Sequence, residues 1–138
     1  MKHLTTVLII NIVFFMLGPF AFAECWTVSD FQGYATNFAN DFEIHKDSLT
    51  SQTIDINIDG DKSTVTGSEG ITFFEITPHL IVGIYNSGTY KGVVESWGLD
   101  IEKGKVFYTQ TKSGYTVFDG AKMFVGKIVG KCKTNQKK

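Results

Sequence analysis

Turn-forming residues punctuate this chain about every ten positions, a spacing that suits strands and leaves little room for helices. Asp59-Gly60, Thr77-Pro78-His79, Asn86-Ser87-Gly88, Lys103-Gly104 and Ser113-Gly114 each separate runs rich in Val, Ile, Thr, Phe and Tyr. Residues 53–58 alternate strictly, with Ile54, Ile56 and Ile58 on one face and Thr53, Asp55 and Asn57 on the other. Period two marks a half-buried strand. Further strands are predicted over residues 71–76, 80–85, 90–101 and 106–111, and residues 115–118 continue the pattern after the turn at 112–114. Residues 42–47 read as a short strand carrying His45.

Two segments are open to either period. Phe31, Tyr34, Ala35 and Phe38 sit at helical spacing behind Ser29, a residue suited to an N-cap. Ala121, Phe124, Val125, Ile128, Val129 and Cys132 also fit a helix face, but Gly126 and Gly130 would each cost a helix about 1 kcal/mol. A strand is preferred there. The expectation is an all-β fold, a small antiparallel barrel or sandwich of about eight strands with room for one short helix.

The N-terminus reads as a secretory leader. Lys2 and His3 precede an apolar run from Val7 to Leu17, broken by Gly18-Pro19 and followed by Ala21-Phe22-Ala23, a small-residue cleavage pattern. The run is too short for a membrane-spanning helix of about 20 residues, so no transmembrane anchor is expected. Cleavage near Ala23 gives a leader over 1–23 and a single β domain over 24–138, periplasmic or secreted, with a basic tail over 133–138. Glu24, directly before Cys25, is not the small residue that lipid attachment at that cysteine would want. In an oxidising compartment the chain's only cysteines, Cys25 and Cys132, are expected to pair and to bring the first and last strands together.

Composition narrows the function. The net charge is −1 and there is no arginine, which speaks against nucleic acid and against bidentate anion recognition. The first half of an EF-hand loop, D-x-N-x-D-G, begins at Asp55. Its twelfth position is Thr66 instead of a bidentate Glu, so a hairpin turn at Asp59-Gly60 is expected in place of a calcium loop. A weak calcium site from Asp55, Asn57, Asp59 and Asp61 is the alternative. His45 and His79 lack the base and orienting partners of a catalytic histidine, and two distant histidines do not make a zinc site. No catalytic residue, metal or cofactor is assigned. Glu75 and Glu95, each inside an apolar strand, are the carboxylates a hydrolase would use. The ordinary expectation for both is an outward, half-exposed position.

The turns themselves carry the remaining signal. Tyr85, Tyr90, Tyr108 and Tyr115 lie at or near strand ends beside Gly and Ser, a composition of adaptable binding loops. Ser87-Gly88-Thr89-Tyr90 and the stretch F-Y-T-Q-T-K-S-G over 107–114 resemble the bacterial periplasmic inhibitors of animal-type lysozyme, whose motifs are S-G-x-x-Y and Y-x-x-x-T-K-G. Here one residue separates Gly88 from Tyr90, Phe107 stands at the tyrosine position, and Ser113 precedes Gly114. The resemblance implies a small disulfide-bonded β-barrel that plugs the lysozyme cleft, with Ser87 and Tyr90 at the contact and Lys112 in the second loop. The sequence thus points to a non-enzymatic binding protein using Ser87, Gly88, Tyr90, Lys112 and Tyr115 against a protein partner. The alternatives are a small-ligand carrier with an apolar barrel cavity and a hydrolase using a strand carboxylate.

Overall fold

The first long segment shows how one local irregularity decides a whole face. In the computed structural model, which describes residues 23–88 and 90–133, the chain enters as strand β1, Glu24–Asn37. Its pairing slips between Ser29 and Gln32, and Asp30 adopts a left-handed φ of 55°. This bulge inserts an extra residue. Val28 and Phe31, three apart, therefore both point into the core, and Tyr34 is left 47% exposed on the other face. The apparent helical spacing of Phe31, Tyr34, Ala35 and Phe38 is this interrupted alternation, followed by a 3-10 turn at Phe38–Asn40 that Asn37 caps through its side chain.

Eight further strands follow: β2 (His45–Leu49), β3 (Ile54–Ile58), β4 (Thr64–Val65), β5 (Thr72–Thr77), β6 (Leu80–Asn86), β7 (Gly92–Asp100), β8 (Lys105–Ser113) and β9 (Gly120–Lys131). All pair antiparallel in the order β4-β3-β1-β9-β8-β7-β6-β5, with β2 added beside β1. The fold is nearly all β, and the sheet curls into an almost closed barrel. The strand preferred over 121–132 is observed as Gly120–Lys131, with Cys132 just past its end. Residues 115–118 are not strand: Thr116–Phe118 forms a 3-10 turn, entered at a φ of 57° on Thr116. A Tyr115 backbone N–H donated to the Asp119 carboxylate holds that turn at 2.6 Å. The leader lies outside the described residues apart from Ala23, as does the basic tail beyond Lys133.

The Asp59-Gly60 segment is a hairpin connection, with Ile56 opposite Val65. The buried Ser63 hydroxyl accepts from the Asp59 N–H at 2.9 Å and donates to the Gly60 carbonyl at 2.8 Å. Gly60 then donates its own N–H to Glu75 Oε2 at 2.9 Å. That bond ties the β3–β4 hairpin to β5, so a side chain crosses where the backbone ladder stops. Asp55 is occupied by the Thr27 hydroxyl across the β1–β3 pair, at 2.6 Å. Among the described residues no group of three or more His, Cys, Asp or Glu is placed to hold a metal ion.

The barrel's middle is filled by inward side chains, with Val28, Phe31, Ile56, Phe73, Ile81, Val106 and Phe124 fully buried. Trp97 and Tyr108 stack at 4.1 Å between ring centroids. Gly126 is required opposite Phe31, since a Cβ there would lie 2.7 Å from the phenyl ring and 2.9 Å from the Ser29 carbonyl. The ends of the chain are clamped together. Cys25 and Cys132 form a disulfide with Cα atoms 5.3 Å apart, and Cys132 donates its N–H to the Cys25 carbonyl. A disulfide fits an oxidising, exported environment. No described helix is long and apolar enough to cross a membrane.

Next to the disulfide, Glu24 accepts from Lys131 Nζ at 3.1 Å and from the Trp26 indole N–H at 3.0 Å. Lys131 Nζ also stands 3.7 Å from the Trp26 ring centroid. The bond to Lys131 holds the Glu24 carboxyl below its usual value against an opposing desolvation, with the Trp26 bond adding to the lowering. A carboxyl lowered in the folded state adds stability above its unfolded value of about 4.3 and loses it as pH falls through the folded value. Glu24→Gln is therefore expected to reduce the melting temperature slightly at pH 7. The difference should vanish in acid below that window. Exposed ion pairs of this kind are worth under ~1 kcal/mol. An equal difference at pH 7 and at strongly acid pH would show that the ion pair is not its source.

Candidate functional site

Strand β7 carries Val93, Glu95, Trp97 and Leu99 on its inner face, and all four are buried. Strand β8 supplies Val106, Tyr108, Gln110 and Lys112 in the facing phase, with Glu95 paired to Gln110 and Val93 to Lys112. Toward the 86–92 end of the barrel the inner face of β8 thus passes from apolar to polar, while β7 sets Glu95 between the apolar Val93 and Trp97. Glu95 is only 2% exposed. The outward position expected for it is wrong. Its phase on β7 is that of Trp97 and Leu99, and an outward turn would have broken the alternation. Glu75 is half-buried and spent on the Gly60 N–H.

Three neutral donors surround the Glu95 carboxylate. Gln110 Nε2 donates to Oε1 at 2.6 Å, and Oε2 accepts from the Ser68 hydroxyl at 2.9 Å and the Trp97 indole N–H at 3.2 Å. No ion pair to Glu95 occurs among the described residues. Burying a charge is costly without such bonds, which is why each oxygen is engaged. Burial first, and then the Glu95 carboxylate beside it, hold the Tyr108 phenol above its ordinary value.

Above this floor lies a recess of about 580 Å³, lined by Glu95, Gln110 and Lys112 together with Ile71, Tyr85 and Tyr115. Glu69 and Phe118 complete its rim. A second hollow of about 380 Å³ opens on the other side of Ser68 and Gln110, toward Leu49 and Thr53. Glu95, Ser68 and Gln110 line both.

The loop residues singled out from the sequence gather at the same end. In the β6–β7 turn the Ser87 N–H donates to the Lys91 carbonyl and Gly88 takes a φ of 73° with its N–H on the Asn86 side chain. Tyr90 projects with 96% of its surface exposed. The β8–β9 connection packs directly against it: a Cβ on Gly114 would lie 2.1 Å from the Tyr90 carbonyl, and the glycine's φ is 86°. Lys91 Nζ stands 5.7 Å from the Tyr115 ring centroid. Ser87, Gly88 and Tyr90 thus lie in one turn, and Lys112 and Tyr115 border the recess beside it.

Sequence reasoning missed Ser68, Glu69 and Gln110. Gln110 was accessible through its phase with Tyr108. Ser68 and Glu69 lie in an irregular turn whose position depends on barrel closure, so no local pattern marks them. His45 Nδ1 lies 3.4 Å from the Asn40 side chain and 3.3 Å from the Glu43 carbonyl, away from this site. Comparison with protein-family models, with curated proteins and with solved structures returns no match, so the residues of this recess and its loops are what the chain offers for assigning a function.

Proposed function

We propose that this is an exported, non-enzymatic binding protein that engages a protein partner with the loop end of its barrel, and that the partner is an animal-type lysozyme. The observation that carries the reading is the abutment of the 87–91 and 113–115 turns. It sets the exposed Tyr90 beside Lys112 and Tyr115 on one end of a rigid scaffold. An exposed aromatic fixed by a tight turn loses little entropy on binding and is a frequent interface anchor. The two short motifs that resemble lysozyme inhibitors meet at this end. The reading accounts for a tyrosine ring held in water with no packing role.

The experiment is a titration of residues 24–138, disulfide intact, against animal-type lysozyme in a cell-wall lysis assay. Inhibition is expected to saturate near equimolar protein. Tyr90→Ala should weaken it by about tenfold or more, as truncation of an anchor residue does, and Ser87→Ala by less. Full lysozyme activity in the presence of micromolar protein would sink the assignment.

A further inference from the structure

Glu95 is a buried carboxyl group whose bonded partners are all neutral, yet it forms the floor of an open recess. A barrel of this size could have closed its mouth with another apolar layer at less cost, since a buried charge is seldom a net gain in stability. The recess has two electrical sides. Glu95 and Glu69 supply carboxylates, and Lys112 supplies an ammonium that is in no ion pair among the described residues. Gln110, which grips Glu95, and Lys112 are two residues apart on one face of β8, a separation of about 7 Å along the strand. Ile71, Val93, Tyr85 and Tyr115 also line the recess, and these apolar and aromatic side chains suit a short methylene chain.

We propose that this recess binds a small amphoteric molecule of the ω-amino acid class, its ammonium on Glu95 and its carboxylate on Lys112. An ammonium entering the recess brings the counter-charge that the three neutral donors lack. A carboxylate at the other end of the methylene chain meets Lys112, the one lysine lining the recess. A plain cation would face Lys112 unfavourably, and a plain anion would face Glu95 and Glu69. This site shares Lys112 and Tyr115 with the proposed lysozyme contact, but its ligand is recognised by the Glu95–Lys112 pair and its binding does not depend on that contact.

The test is calorimetric titration of the disulfide-intact protein with 6-aminohexanoate, followed in parallel by tryptophan fluorescence, because the Trp97 indole is bonded to Glu95. Hexylamine and hexanoate, each carrying one of the two charges, are the comparison ligands. Saturable one-to-one binding of 6-aminohexanoate is expected, with hexylamine and hexanoate weaker. Glu95→Gln and Lys112→Met should each lower the affinity by at least about tenfold, the range for loss of a charged hydrogen-bond partner. Should Glu95→Gln fail to fold, Lys112→Met at the half-buried rim decides. Absence of saturable binding at millimolar 6-aminohexanoate, unchanged affinity in the folded variants, or equal affinity for hexylamine would overturn the proposal. The titration contains no lysozyme, so its failure leaves the lysis result standing, and the reverse holds.

Discussion

Removing the Cys25–Cys132 disulfide, by the Cys25→Ala/Cys132→Ala pair, is expected to lower the melting temperature by roughly 15 °C. The bridge links residues 107 apart in sequence, so it restricts nearly the whole described chain in the unfolded state. Chain-entropy arguments set its contribution at about 4–5 kcal/mol as an upper value. For a barrel of this length each kcal/mol moves the melting temperature by about 4 °C. The folded state should survive, because β1 and β9 pair along most of their lengths and neither cysteine belongs to the core cluster. Thermal unfolding with and without the bridge reads the effect directly. A fall of under about 5 °C would mean that the unfolded chain already keeps its ends close, so that the bridge closes little additional freedom.

Phe31→Ala is expected to cost about 3–5 kcal/mol, the usual range for a buried phenylalanine. The ring is completely buried. It meets Trp97 edge-on at 5.9 Å and Tyr108 at 6.4 Å, and it occupies the space that Gly126 leaves open. Neighbours held in the strand ladder cannot collapse into the cavity without breaking ladder bonds, so most of the loss should appear. Urea unfolding should show a lower midpoint at unchanged slope, as expected when stability alone changes. Phe107→Ala on the outer face, where the ring is half in water, should cost under about 1 kcal/mol. Similar losses for the two would place Phe31 outside the core that the barrel requires.

Much of the architecture was legible in local pattern. The alternation of residues 53–58, the turn at Asp59-Gly60 and the four strands between residues 71 and 113 follow from period and punctuation, while at 121–132 only the cost of Gly126 and Gly130 in a helix favoured the strand. They are observed within a residue or two at most boundaries. The helical spacing after Ser29 was ambiguous for a definite reason: one bulge at Asp30 changes a two-residue period into an apparent three-and-four. The run at 115–118 failed differently. Its residues favour strands, but the Asp119 carboxylate captures the Tyr115 N–H and turns the chain over the barrel mouth.

The candidate site was legible only in part. Ser87, Tyr90, Lys112 and Tyr115 stood out as turn residues, and Glu95 stood out as a charge within an apolar strand. Its inward direction could have been read from Val93, Trp97 and Leu99, which share its phase. Its partners could not.

The sequence by itself determined the strands between Ile54 and Thr111 and the turns that separate them, because these depend on neighbours a few residues away, and it named the cysteine pair because the chain has only two. Tertiary structure alone decided that Ser68 meets Glu95, that Glu75 ties β5 to the hairpin at Gly60, and that the Tyr90 turn rests on Gly114. Those contacts join segments whose separation is set by how the sheet curls and where the barrel closes. Curl and closure are properties of all the strands together, so no single stretch of sequence carries them.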